Sequence, residues 1–174
     1  MRKILIVLAC VTLLLSTACN KSQSEKAAVE RAQVNIEQSE ILQVEIDGLF
    51  AEINNCCDFD MGPASMKKAA VKIQLNSTNA QGNLRKAITN MKLAKENSED
   101  YQMKNFYDLK VNALRTKKTI VNNSFHIATE IENDSSTYKV KTILRTYHQR
   151  EKELEERYKR LDNEAKSYLD LQTA

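Results

Sequence analysis

The sequence predicts an all-α fold, a long antiparallel four-helix bundle of coiled-coil-like, up-down topology. Three observations lead there. Apolar residues recur at alternating steps of three and four through most of the chain, which is the helical period. Turn formers are scarce, with three Gly, one Pro and no Trp, whereas a β-sandwich needs turn signals every 8–12 residues. Short polar breaks then divide the chain into four periodic segments, and short connections imply antiparallel neighbours.

In the first segment Val29, Ala32, Ile36, Ser39, Gln43, Ile46, Phe50 and Ile53 mark one face. The stretch from Asn54 to Pro63 ends it, and Pro63 suits the first turn of a new helix. The second segment carries Met66, Ala70, Ile73, Ser77, Ala80, Leu84, Ala87, Met91 and Ala94. This stripe is mostly small and has Gly82 in its middle, so it buries little apolar area. It is expected to be less stable than its neighbours, or to pack tightly against the third helix. Asn97-Ser98-Glu99-Asp100 makes the next break, with Ser98 as the expected N-cap. The third segment runs through Tyr107, Val111, Leu114, Lys118, Val121, Phe125 and Ala128. Asn133-Asp134-Ser135-Ser136 separates it from the fourth.

The fourth segment is the most regular. Val140, Tyr147, Leu154, Leu161 and Tyr168 repeat every seven residues, with Leu144, Glu151, Tyr158 and Ala165 between them. That 3.5-residue spacing lays a seam along a straight rod. Glu153–Arg157, Glu155–Lys159 and Glu156–Arg160 stand four apart in the favourable orientation, each contributing a few tenths of a kcal/mol. At about 1.5 Å per residue, rods of roughly 30–38 residues are about 45–55 Å long. An alternative closure is an extended antiparallel coiled coil that completes its core as a homo-oligomer.

The N-terminus reads differently. Arg2 and Lys3 precede an apolar run from Ile4 to Leu15, the layout of a secretory signal peptide. The run is short for a membrane span of about 20 residues. It closes on Leu15-Ser16-Thr17-Ala18-Cys19, with small residues directly before a cysteine. This resembles the lipobox of bacterial lipoproteins, a resemblance confined to residues 1–19. It implies a signal peptide over 1–18, cleavage before Cys19, a diacylglyceryl group on the sulfur, and a fatty acyl chain such as palmitate on the amine. Val7-Leu8-Ala9-Cys10 reads similarly, but cleavage there would leave a hydrophobic core shorter than the usual 7–15 residues. One acyl chain binds a membrane only marginally, whereas two or three anchor it stably. The expected layout is an acylated Cys19 and short tether over 19–25, then the bundle over 26–174. Asn20 stands where Asp signals inner-membrane retention, so the resemblance favours the outer membrane in a diderm host. Otherwise it implies the extracellular face of the cell membrane.

Charge is uneven along the chain. Residues 20–60 hold three basic and nine acidic groups, residues 61–120 twelve and four, and residues 121–174 nine and ten. The second segment carries Lys67, Lys68, Lys72, Arg85, Lys86, Lys92 and Lys95. The simpler reading is that the acidic first helix packs beside these cations and neutralises them. The sharper one is a face for lipid headgroups, lipopolysaccharide or another polyanion.

Adjacent Cys56 and Cys57 fall in the predicted first loop. Export exposes thiols to an oxidising medium, so a vicinal disulfide, a bridge to another chain and two thiols with no role all stay open. Asp58 and Asp60 invite a metal reading, but two cysteines without a second pair or a nearby His make a poor zinc site. His126 and His148 are the only histidines. A di-iron bundle needs Glu three residues before His, and those positions hold Asn123 and Arg145. No metal and no cofactor are expected. Glu151 interrupts the apolar seam of the fourth helix, and Lys118 is its expected partner. Enzyme motifs such as a Gly-rich phosphate loop, Gly-x-Ser-x-Gly or His-Glu-x-x-His are absent from the sequence.

The expectation is therefore a non-enzymatic envelope lipoprotein, membrane-bound through its acyl anchor, that binds another envelope protein. Adapter, exclusion or immunity factor, and adhesin all fit that description. The alternatives are a small-ligand or cofactor carrier with its site between helices near Tyr147 and His148, and a polyanion-binding module. Nucleic acid is not an expected partner of an anchored, exported chain.

Overall fold

The computed structural model describes the backbone of residues 2–58 and 62–173, and the side chains of residues 21–58 and 62–168. Four helices follow one another: α1 (Arg2–Asp58), α2 (Pro63–Asn97), α3 (Tyr101–Asn133) and α4 (Thr137–Thr173). Consecutive helices pack on one another in an antiparallel, up-down four-helix bundle. There is no strand among the described residues.

The breaks have identifiable causes. Pro63 opens α2 at a position where its missing N–H costs nothing, behind Gly62 at φ 88°. Asp100, not Ser98, caps α3: its carboxylate accepts from the backbone N–H of Gln102 at 2.7 Å and of Met103 at 3.4 Å. Ser98 instead closes α2, its N–H bonding Ala94 O at 2.9 Å. A carboxylate at an N-cap also meets the positive end of the helix dipole, which is where Asp outperforms Ser.

The periodic residues point inward as their spacing dictates. On α4 Val140, Leu144 and Ala165 are buried, and Tyr147, Glu151, Leu154, Tyr158, Leu161 and Tyr168 are half-buried. Every member of the α2 stripe from Met66 to Ala94 is buried. Burying a side chain such as Ile73 or Leu84 stabilises the fold by roughly 1.5–3 kcal/mol. α2 packs on α1 along one side and on α3 along the other. The helix expected to be weakest is thus covered on both sides. α1 and α4 meet only over a short stretch, so α4 rests mainly on α3.

Two apolar clusters fill the bundle. One joins Ala32, Ile36, Leu84, Met91, Tyr107, Val111, Leu114 and Ala165. The other joins Ile46, Ile53, Cys57, Met66, Ile73, Ile127, Ile131, Val140 and Leu144. Between them in sequence on each of the first three helices lies a buried serine: Ser39, Ser77 and Ser124. Glu151 completes the layer from α4, accepting from Ser124 Oγ at 3.5 Å.

Residues 21–25 continue α1 and are tied to the α2–α3 turn. Lys21 Nζ lies 3.4 Å from Glu99, Ser24 Oγ accepts from Asn97 at 3.1 Å, and Glu25 accepts from the Tyr107 hydroxyl at 2.8 Å. Among the described residues no helix is long and apolar enough to cross a membrane.

Candidate anion-binding groove

The antiparallel packing of α2 on α3 decides what happens to the cations of α2. Successive helical residues turn by about 100°, which splits the seven into two rows. Lys67, Arg85, Lys92 and Lys95 fall on the edge toward α3, and Lys68, Lys72 and Lys86 on the edge toward α1. Lys95 Nζ lies 2.6 Å from Asp108 of α3. That pair sets the register, and stepping along it brings Arg85 level with Lys118 and Gln81 level with Asn122.

The result is a recess of about 780 Å³ on the outer side of α2 and α3. Arg85, Ile88, Thr89 and Gln81 form one wall, and Arg115, Lys118, Thr119 and Asn122 the other. A recess of about 480 Å³ continues it past Arg115 to Lys92 and Lys104, and here the acids Glu96 and Asp108 join the lining. One of about 220 Å³ continues it the other way, past Arg85 to Phe125 and His126. No acidic side chain lines the central recess.

Among the described residues no acid of α1 forms an ion pair with a cation of α2. Glu40 pairs with Lys117 of α3 at 2.7 Å and Asp58 with Lys141 of α4 at 3.1 Å. Glu45 accepts from Asn76 of α2 at 2.9 Å, a neutral donor. Among the described residues Lys95 is the only one of the seven α2 cations in an ion pair, and its partner is on α3. The expected neutralisation by the first helix therefore includes no direct ion pair among the described residues. Glu45 stands on the α2 side of α1 but meets an amide there, not a cation.

Reading α2 alone leaves out three cations of the groove. Lys104, Arg115 and Lys118 belong to α3. The signal was present in the charge balance of residues 61–120, which spans both helices. Lys118 had been expected to meet Glu151. The structure instead sends Lys117 inward, 91% covered by its relative exposure of 9%, and leaves Lys118 in the outer groove. Lys117 Nζ also sits 5.3 Å from the centre of the Tyr158 ring. Burial, followed by the charges of Asp162 and Glu40, pushes the Tyr158 hydroxyl up to about 12.

The remaining candidates are dispersed. Cys19 lies among residues whose side chains are outside the described part, as does Asp60. Cys56 and Cys57 sit in the last turn of α1, not in a loop, and both are free and buried. Cys57 Sγ contacts Met66 Sδ at 3.5 Å, and burial pushes its thiol up. Helical backbone aims neighbouring side chains about 100° apart, which does not suit a vicinal disulfide. His126 is exposed at one end of the groove, edge-on to Phe125 with ring centres 5.9 Å apart. His148 is exposed on α4, with Nδ1 4.0 Å from Glu151. Among the described residues no group of three His, Cys, Asp or Glu side chains is placed to hold a metal ion. Tyr147 borders a surface recess of about 250 Å³ with Glu130, Thr142 and Arg150, separate from His148.

Comparison with known protein families, curated proteins and solved structures finds no match.

Proposed function

We propose that this chain is a non-enzymatic, lipid-anchored module of the bacterial envelope that binds an anionic partner through the α2–α3 groove. The observation that carries the reading is the unneutralised cationic lining: Arg85 and Lys118 face each other with no acid between them. Such a surface raises the local concentration of polyanions and speeds their capture. The lipobox-like end at Cys19 supplies the location, and the N-terminal end of the bundle stands beside the α2–α3 turn through Lys21 and Glu99. The groove would then begin near the membrane and run away from it.

Two measurements test this. Mass spectrometry of the mature chain is expected to find an acylated Cys19, and Cys19→Ser is expected to release the protein from membranes. Retention of the serine variant on membranes would remove the anchor from the reading. Binding to a heparin matrix is expected at about 50 mM NaCl and to fade toward about 500 mM as screening shortens the reach of each charge. The double variant Arg85→Glu, Lys118→Glu should not be retained. Equal retention of the variant would defeat the groove.

A second reading is an adapter that binds another envelope protein. It is favoured by Val34, Ile41 and Val44, which stand exposed on the outer face of α1. In-cell cross-linking that captures one envelope protein, lost on Ile41→Lys, would support it.

A further inference from the structure

We infer that the groove takes a linear phosphate-bearing chain, seated with its densest charge between Arg85, Arg115 and Lys118. This rests on the anion-binding reading above and adds the chemical class of the ligand.

Three features point to that class. The first is charge density. Three cations border one recess that has no acid. A single carboxylate would leave most of that charge unmatched, whereas successive phosphates of a chain, each with about one negative charge, set several charges along the recess. The guanidinium fork also matches phosphate oxygens in bidentate fashion.

The second is the neutral donors. Gln81 and Asn122 sit level with each other across the recess, and neither amide has a hydrogen-bond partner among the described residues. Each offers two N–H donors to an oxygen-rich ligand that has only acceptors.

The third is shape. The central recess far exceeds one phosphate, and its walls continue into recesses at both ends that share Arg115 and Arg85. From Lys104 to His126 along α3 the lining spans about 33 Å at 1.5 Å per residue. A chain can follow such a channel, whereas the headgroups of a flat bilayer meet its rims first.

The test uses the full chain and inorganic polyphosphate as the probe. Orthophosphate, polyglutamate of matched charge and phosphatidylglycerol vesicles are the comparisons. Polyphosphate is expected to bind more tightly than all three. Arg85→Gln and Lys118→Gln should each weaken it about ten-fold. Lys72→Gln and Lys86→Gln, on the opposite edge of α2, should leave it unchanged. Circular dichroism checks that every variant keeps its helix content. Equal binding of polyglutamate would overturn the phosphate assignment and leave the anion-binding reading standing. Equal binding of orthophosphate, or tighter binding to vesicles, would overturn the linear chain. Binding to none of the anions would overturn both proposals.

Discussion

Glu151 shows how much one side chain costs in this bundle. It occupies a seam position on α4 that an apolar residue would fill, and burial raises its carboxyl above the usual range. Nearby Asp47 and Glu155 push the same way, while His148 and the Ser124 hydroxyl only partly compensate. Asp47 is raised as well, first by burial and then by Glu155, against the hydrogen bond from Gln43. A raised carboxyl contributes stability that is complete below its unfolded value and drains away as pH rises through its folded one. The bundle should therefore gain stability as pH falls from neutral through the raised values of Asp47 and Glu151. Asp162 acts in the opposite sense. Burial alone would raise it, but Lys110 and Lys166 outweigh that and hold it low. Its contribution is lost as pH falls through that lowered value. Glu151→Gln is expected to raise stability at pH 7 and to flatten the acid-side gain in urea titrations across pH. An unchanged pH profile would remove Glu151 as its source. Ser77 Oγ and Ser39 Oγ, both fully buried, have no hydrogen-bond partner. An unmet hydroxyl in a core costs about 1–3 kcal/mol. Ser77→Ala should therefore stabilise by about 1 kcal/mol, measured by the same titrations.

At the scale of the element, α2 and α3 carry devices that can be tested separately. Gly82 lies inside α2, and a methyl group added there would meet no atom within 4 Å. Gly82→Ala should stabilise by about 0.5–1 kcal/mol, because alanine loses less backbone freedom in a helix. Asp100→Ala removes the cap of α3 and should cost about 1 kcal/mol. α2 holds its place through small residues that let α1 and α3 both approach, so its modest apolar content is offset by coverage on two sides. α4 shows the reverse. Its heptad seam is regular, yet between His148 and Glu164 no residue is fully buried. Of the three Glu-to-basic pairs expected on its surface, the described contact is Glu155–Lys159 at 3.9 Å. Exposed pairs of this kind contribute about 0.3–0.5 kcal/mol.

For the whole molecule, the packing order implies graded stability. α2 is held by two neighbours, whereas α4 leans on α3 and meets α1 little, as at the Asp58–Lys141 pair. Hydrogen exchange of the native protein is expected to protect the amides of α2 and α3 most and those of α4 after His148 least, since local opening follows buried contact. Equal protection throughout would mean that α4 opens only with the whole bundle. Charge is also sorted at this scale. Cations collect on the outer α2–α3 surface, while Glu40 and Asp58 of α1 pair with Lys117 and Lys141.

Periodicity and punctuation in the sequence were enough to determine four helices, their turns and their inward faces. Both are local: a 3.6-residue repeat fixes which side chains share a face, and Pro63 suits the start of a helix whatever lies beyond it. The α2 cations and the odd position of Glu151 were legible for the same reason. Tertiary packing alone decided the rest. It placed Lys117 inside and Lys118 outside, put Cys56 and Cys57 into the end of α1, and laid Arg115 opposite the cations of α2. It also paired Glu40 of α1 with Lys117 and Asp58 with Lys141. Those outcomes depend on the rotation and register of one helix against another, which follow from the fit of all four apolar faces at once and from no single segment.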